Sequence, residues 1–593
     1  MKLFYLPDGF QSYTDKSDEL VRFIIQKQLS DEALWQKFVK VFVTREDAAD
    51  DGWRGEYFGK MMRGACLAYR YRPDQKLYDV LQRTVLSLLA TADEEGRIAT
   101  YPTSHEFCGW DLWCRKYVMV GCLYFYGICK DEKVKTEILA ALKRHLDYIE
   151  ARIGEGKTSV TDTSVWYGGM NSSSILEPVV EMYKLTKEPR YLAFAEYLIK
   201  AGGCKQGSVP EAVCKGVLPH EFPTQKSYET ISYFEGILAY YEATGKREYL
   251  DLVEKFADLV QNNEITLIGC AGCKGEHFDH AAVTQANDIK EKTIMQETCV
   301  TVTWLRLQER LLRATGKTVY ADRIEVSALN ALYGAVNLYG EKQFCKEEKA
   351  FLPGVPFDSY SPLVAARRGI GIGGYKKFSE GGYYGCCACI GAAGVALYPL
   401  ASAMLTEEGA EILFYHGGTV KLPFKEGELV LEAQGSISEE KTEFVVTSAP
   451  ACKKTLSFRI PSWSMETKTS LNEENVACDG DLLTLSRKWE KGDKIKIVFN
   501  LSVKQHFLNG KVAFTYGPFT LARDEAKDKK FDKPLRLEKD VVVFPIEREE
   551  GEEVRLLLHT KKGEVLLTDY ASCGKRWTEK KSRIAVWNKA KRA

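Results

Sequence analysis

The feature that most constrains this fold is a switch in the period of the apolar residues near position 403. Upstream, apolar side chains recur at helical spacing, as in Leu77-Tyr-Asp-Val-Leu-Gln-Arg-Thr-Val-Leu-Ser-Leu-Leu89 and Tyr191-Leu-Ala-Phe-Ala-Glu-Tyr-Leu-Ile199. Downstream the period drops to two. Glu428-Leu-Val-Leu-Glu432, Thr455-Leu-Ser-Phe-Arg-Ile460, Asp493-Lys-Ile-Lys-Ile-Val-Phe499 and Lys511-Val-Ala-Phe-Thr-Tyr516 read as strands between Gly, Pro and Asp turns. With 593 residues the chain also exceeds what one hydrophobic core usually serves. The division predicted is a helical domain over 1–402 and a β-sandwich over 403–525. Over 526–593 we expect a charged connection, begun by the run Asp524-Glu-Ala-Lys-Asp-Lys-Lys-Phe-Asp-Lys533, and a small β-rich extension.

The helical half repeats. Met182-Tyr-Lys-Leu-Thr-Lys-Glu-Pro-Arg-Tyr-Leu192, Tyr240-Tyr-Glu-Ala-Thr-Gly-Lys-Arg-Glu-Tyr-Leu250 and Leu311-Leu-Arg-Ala-Thr-Gly-Lys-Thr-Val-Tyr-Ala321 share a plan. In each, a helix ends at a Thr, and a Tyr five residues later opens the next helix, which describes repeated helical hairpins. Such hairpins stack into an open solenoid or a barrel of paired helices. Irregular spacing between the repeats and long Gly-rich loops favour the barrel.

Composition narrows the partners. Lys plus Arg and Asp plus Glu both total 82, so there is no electrostatic footprint for nucleic acid or an anionic membrane, and a neutral ligand is the more natural one. Hydrophobic residues at 45% and aromatics at 11% exclude a disordered chain. The N-terminus lacks the apolar run of a signal peptide, and no stretch reaches the length of a membrane span. Seventeen cysteines, an odd number without a disulfide-like framework, fit a reducing compartment, and a cytoplasmic location is expected.

Chemistry concentrates in two cysteine clusters. One is Glu297-Thr298-Cys299, the other the doublet Cys386-Cys387 within Gly381-Gly-Tyr-Tyr-Gly-Cys-Cys-Ala-Cys-Ile-Gly391. Three thiols and a carboxylate, brought together, make a four-ligand set that Zn²⁺ accepts. Adjacent cysteines should turn toward one metal only on an irregular backbone, which the surrounding glycines allow. The alternative is that the thiols are small buried hydrophobes. Shortly before Glu297, Gly275-Glu276-His-Phe-Asp279-His280 gathers titratable groups, with Cys270-Ala-Gly-Cys273 upstream. Glu276 is a candidate proton donor, its pKa raised by partial burial, while His277 and His280 are candidate metal ligands or plain loop residues.

Gly52-Trp-Arg-Gly-Glu-Tyr-Phe-Gly-Lys60, Asn171-Ser-Ser-Ser-Ile-Leu-Glu-Pro178, Glu297-Thr-Cys299, Cys386-Cys387 and Arg459-Ile-Pro-Ser-Trp463 together resemble glycoside hydrolase family 127, the β-L-arabinofuranosidases and their relatives. Trp489-Glu-Lys-Gly-Asp493 and Tyr516-Gly-Pro518 extend the resemblance, which runs from about residue 50 to residue 523. It implies an (α/α)6 barrel, a β-sandwich and a retaining mechanism with a zinc-bound cysteine nucleophile. Carried over, Glu297, Cys299, Cys386 and Cys387 would hold Zn²⁺, Cys386 would attack the anomeric carbon, and Glu276 would be the acid/base. A retaining glycosidase needs a nucleophile and an acid/base, and a metal-held thiolate can replace the usual carboxylate.

Two departures stand out. The stretch between Glu276 and Glu297 is longer than in the arabinofuranosidases, which leaves Asp279 as an alternative acid/base. Arg115 and Glu235 stand where the family has sugar-contacting histidines, so a different sugar, acidic ones included, is open. Further substrate-binding candidates are Trp110, Asp111, Lys116, Asn171, His220, Lys226, Tyr228, Glu229 and Tyr384, since aromatic faces stack on sugar rings while carboxylates and amides bind hydroxyls. Against that, Trp110 and Tyr228 can be core, Lys226 solvated and Asp111 a helix cap. The function expected is a retaining exo-glycoside hydrolase acting on a furanoside such as a β-L-arabinofuranoside, with a carbohydrate partner. A homodimer is left open. A sugar epimerase or polysaccharide lyase on a helical barrel, or a carbohydrate-binding protein with structural zinc, are the alternatives.

Overall fold

The computed structural model describes residues 2–272, 274–288 and 296–591. Six helices, Glu56–Tyr71, Asp111–Ile128, Leu176–Thr186, Ser227–Thr244, Thr298–Thr315 and Cys386–Leu400, form the centre of the helical domain. Each packs on the next in chain order, and the last packs on the first. Outside them lie Gln75–Leu89, Glu132–Arg152, Pro189–Lys200, Arg247–Asn263, Val319–Ser327 and Lys16–Ile24, packed against the inner ring. This is the (α/α)6 arrangement.

Burial follows from the layers. Gln75–Leu89 buries one stripe, Leu77, Leu81, Val85 and Leu88 among it, as an outer amphipathic helix should. All fifteen residues of Cys386–Leu400 are buried. The inner helices approach backbone to backbone: a Cβ on Gly59 would lie 1.9 Å from the carbonyl oxygen of Tyr117.

The repeated Thr has one job throughout. Thr186, Thr244 and Thr315 donate to the carbonyls of Met182, Tyr240 and Leu311, each four residues back. Their hydroxyls accept from the backbone N–H of Glu188, Lys246 and Lys317, two residues on. Lys187, Gly245 and Gly316 follow in the left-handed conformation that ends a helix. Three inner helices are thereby turned into their outer partners by the same hydrogen bonds.

The β half divides differently from the expectation. A five-stranded sheet contains Ala403–Leu405, Gly409–Ile412, Lys453–Arg459 and Leu482–Lys488, and a seven-stranded sheet contains Gly418–Phe424, Gly427–Ser436, Lys441–Ser448 and Lys494–Val498. Phe444 from one meets Phe458 from the other with ring centroids 5.2 Å apart. Strands Phe4–Tyr5 and Gln11–Tyr13 join these two sheets, so the first residues leave the helical domain. Lys511–Tyr516, assigned by its alternation to the sandwich, and Phe519–Asp524, placed there by the boundary, pair instead with Asn588–Lys591 and Gly563–Asp569 in a nine-stranded sheet that begins near Val503. A boundary at residue 525 would cut that sheet. Alternation identifies a strand but carries no information on which ladder it joins.

The last sheet is docked on the helical domain. Arg368 donates to the carbonyls of Tyr570 at 2.8 Å and Cys573 at 3.1 Å, Asn330 to that of Pro518 at 2.9 Å, and Thr520 to that of Leu267 at 2.6 Å. It thus braces the long loop before Cys386. Among the described residues no helix is long and apolar enough to cross a membrane.

Candidate active site

Two inner helices begin at the cysteines. Glu297 is the N-cap of Thr298–Thr315, so Cys299 lies in its first turn, and Cys386 and Cys387 open Cys386–Leu400 after an extended Gly385. The doublet therefore needs no irregular backbone between its members, contrary to the expectation from adjacency. Cys386 and Cys387 are consecutive residues of a helical first turn, and their sulfurs lie 3.9 Å apart. Helix N-termini favour negative charge, so thiolates are well placed there.

The four groups converge. Cys299 Sγ is 3.5 Å from Cys386 Sγ and 3.4 Å from Cys387 Sγ, and Cys387 Sγ is 3.6 Å from Glu297 Oε1. One ligand atom from each of the four lies within 4.8 Å of all the others, and all four residues are buried. Sulfurs at the corners of a tetrahedron about 2.3 Å from its centre sit about 3.8 Å apart, so this donor set is spaced for a tetrahedral cation. Glu297 Oε2 is buried without a hydrogen-bond partner among the described residues. Such an orphaned acceptor is what a cation would satisfy.

Electrostatics single out one sulfur. The Cys299 thiol, and then that of Cys387, hold Cys386 well below the ordinary thiol range, against the effect of burial and with help from the Lys60 ammonium. Burial pushes Cys299, Cys387 and Glu297 up. Lys60 lies 4.0 Å from Cys299 Sγ and 2.9 Å from Glu56 Oε2.

Cys386 and Glu276 share one cavity of about 470 Å³. Glu276 adopts a left-handed backbone, φ 66°, that few non-glycine residues take. Ser227 fixes it, donating to the Glu276 carbonyl from its hydroxyl at 2.7 Å and its N–H at 3.1 Å. The carboxylate accepts from Tyr360 at 2.7 Å and from Lys226. Burial works against its charge, but the Lys226 ammonium prevails and its pKa falls to about 2. The raised pKa expected for a proton donor is thus reversed in the free site. Tyr360 pairs in register with Glu297, which ties the acid/base to the metal-ligand set.

The cavity is also lined by Trp110, Lys226, Tyr228, Glu229, Glu297 and Cys299, as expected, while Cys387 lies fully buried beneath. Other candidates are held outside it. Arg115 is fully buried between Asp111 at 3.0 Å and Glu106 at 3.0 Å, so neither it nor Asp111 faces a sugar, and the argument for an acidic substrate from Arg115 lapses. Lys116 donates to Ser174 and Ser232, Asn171 to the Gly109 carbonyl, and Glu235 pairs with Arg306 at 2.8 Å. His220 pairs with Glu264 at 2.8 Å, and Tyr384 accepts from Gln28 at 2.8 Å. Each was a polar or aromatic residue in a suggestive segment whose side chain found a protein partner instead. Asp279 accepts from Thr284 at 3.0 Å and does not line the cavity. His280 stacks on His220, and neither His277 nor His280 belongs to the metal-spaced group. Cys270 donates to the Glu297 carbonyl at 3.5 Å, Cys389 is buried on its helix, and Cys273 lies outside the described residues.

Sequence reasoning left Trp53, Glu56, Lys60, Trp166, Tyr167 and Tyr360 unassigned, though all line the cavity. Trp53, Glu56 and Lys60 sat in the quoted Gly52–Lys60 motif, and Trp166-Tyr167 preceded a Gly-Gly pair. Tyr360 carried no local signal.

The family model of the β-L-arabinofuranosidase GH127 catalytic domain matches residues 14–345, and that of the GH127 middle domain residues 411–501. Cys386 and Cys387 lie between the two matches. The solved structure of a GH127 β-arabinofuranosidase is similar with a TM-score of 0.76 at 16% identity, over 99% of this chain and 98% of that one. A GH127 β-L-arabinofuranosidase from Geobacillus stearothermophilus T6 gives 0.73 at 15% identity over 100% of both chains. A third, described as a glycoside hydrolase, gives 0.69 at 17% over 100% and 98%. No curated protein matches the sequence.

Proposed function

Because the chain belongs to glycoside hydrolase family 127, we propose that it is a retaining exo-glycosidase acting on β-L-arabinofuranosides, with Cys386 as nucleophile and Glu276 as acid/base. The observation that carries this reading is the convergence of four buried donor atoms within 4.8 Å on a cavity that Cys386 and Glu276 both line. Zn²⁺ held by Glu297, Cys299, Cys386 and Cys387 would keep the thiols deprotonated at neutral pH.

The residues then divide the work. Cys386 attacks the anomeric carbon and forms a thioglycoside, which splits one difficult substitution into two easier ones. Glu276 gives a proton to the departing oxygen and later takes one from the incoming water. Its pairing with Lys226 keeps it ionised in the free site, so a sugar that loosens that pair also raises the carboxyl toward the range where it can donate. Tyr360 holds the carboxylate in place and Ser227 the Glu276 backbone carbonyl, while the indoles that line the cavity offer apolar faces to the sugar.

Zinc content and hydrolysis of nitrophenyl furanosides and pyranosides, compared across wild type, Cys386→Ser and Glu276→Gln, test this reading. Bound zinc at about one per chain, with β-L-arabinofuranoside turnover lost in both folded variants, is expected. Zinc-free protein, or turnover indifferent to Cys386, overturns it.

A further inference from the structure

An unbroken run of aromatic rings leads from the thiol cluster to the surface. Trp113, whose ring has the Lys60 ammonium 5.5 Å from its centroid, meets Trp110 at 5.8 Å. Trp110 in turn meets Trp53 at 5.9 Å, Tyr167 at 6.2 Å and Trp166 at 6.4 Å. All five line the cavity, and the run ends at Trp166, which is 37% exposed. A partly exposed indole face at the end of such a run suits a ligand with an apolar face.

The outer rings are held rigidly. Tyr167, Gly168 and Gly169 are three successive left-handed residues, with φ of 54°, 63° and 85°. A Cβ on Gly169 would lie 2.5 Å from the Thr161 carbonyl oxygen, so the turn requires glycine there. Tyr167 therefore carries backbone strain that a merely packed tyrosine would shed. The Trp166 indole N–H donates to the Asp50 carbonyl, which fixes the plane of its ring.

The outer rings also sit on the side where the leaving group departs. Lys226, the partner of Glu276, lies 5.1 Å from the Tyr167 ring centroid, and the His277 ring lies 5.9 Å from it. The bond to be broken has its oxygen at Glu276 and its anomeric carbon at Cys386, so a group beyond that oxygen passes Tyr167 on its way out.

We propose that Trp166 and Tyr167 form the aglycone subsite, stacking on the sugar ring beyond the bond to be broken, and so set the preference for a sugar over a methyl aglycone. This rests on the glycosidase reading above. A pyranose or furanose presents a C–H face that an indole covers, whereas a methyl aglycone does not.

Two arms test it. In the first, kcat/KM is measured for a β-L-arabinofuranosyl disaccharide and for methyl β-L-arabinofuranoside, and the ratio of the two is followed. Trp166→Ala should lower that ratio at least about tenfold, and Tyr167→Ala should lower it too; a ratio unmoved in the exposed Trp166→Ala variant overturns the subsite. The second arm uses Cys386→Ser protein and follows tryptophan emission during titration with arabinose and with neutral arabinan oligosaccharides of increasing length. Affinity that rises with length and is lost on adding Trp166→Ala supports the subsite even if wild type hydrolyses neither glycoside, which would sink the enzymatic reading alone. Emission without length dependence, or no response to any saccharide, overturns it.

Discussion

One inner helix, Thr298–Thr315, carries two buried charged assemblies built on opposite terms. About 10 Å along it from Cys299, Arg306 meets Glu177 at 2.9 Å and Glu235 at 2.8 Å. One turn further Arg310 meets Glu177 at 3.1 Å and Glu242 at 2.9 Å, with Lys184 also on Glu242 at 3.1 Å. There each carboxylate faces a cation. At the start of the helix, Glu297, Cys299, Cys386 and Cys387 crowd together, and Lys60 is the ammonium beside them, 4.0 Å from Cys299. A buried lattice whose charges are matched holds helices together; a buried cluster of three thiols and a carboxylate at metal-ligand spacing suits a cation supplied from outside, against which its groups can deprotonate.

The contrast breaks most sharply at Cys386. Cys386→Ser should lower kcat on the substrate by at least about 10³-fold while circular dichroism stays that of wild type; a parallel loss of structure would make the cluster a staple like the lattice. Arg306→Met should do the reverse. Leaving Glu177 and Glu235 buried without their cation costs about 3 kcal/mol or more, read as a lower denaturant midpoint, with metal content unchanged. A fall in bound metal would join the two assemblies into one.

Metal removal sharpens the difference in a third way. Dialysis against a chelator should lower the melting temperature, and added Zn²⁺ at about 100 times its dissociation constant should restore about 2.7 kcal/mol. A matched lattice has no such dependence, so a melting temperature blind to zinc would refute the cation site.

The smallest effect is on acid stability. Glu276 titrates near 2 in the folded chain, below the value of about 4.3 for an unfolded glutamate. Its ion pair with Lys226 is therefore fully stabilising above the unfolded value and fades as pH falls through the folded one. Melting temperatures of wild type and Glu276→Gln should differ at pH 6 by about 2 °C and converge between about pH 4.3 and pH 2. A constant gap across that range would show that the carboxylate is not depressed.

What could be read from the chain depended on how local its cause was. The hairpin Thr at 186, 244 and 315 was legible because its hydrogen bonds reach only four residues back and two forward. Glu297, Cys299, Cys386 and Cys387 were legible as a ligand set because few other uses bring an acid and three thiols into two short motifs. Arg115 and His220 misled because nothing in their neighbourhood shows that Asp111, four residues away, or Glu264, forty-four residues away, takes their charge. Trp166 and Tyr360 were missed because the cavity draws on loops far apart in sequence.

The sequence alone settled periodicity, hence a helical body before residue 403 and strands after it, though not the strands Phe4–Tyr5 and Gln11–Tyr13, and it settled which residue types are present to bind a cation. Those follow from covalent spacing and donor chemistry, which no neighbour can alter. Only the tertiary structure decided which strands share a sheet, which polar side chains are spent on one another, and that Glu276 is ionised beside Lys226. These depend on distances between segments remote in the chain, and Coulomb interactions and hydrogen bonds are set by those distances rather than by sequence position.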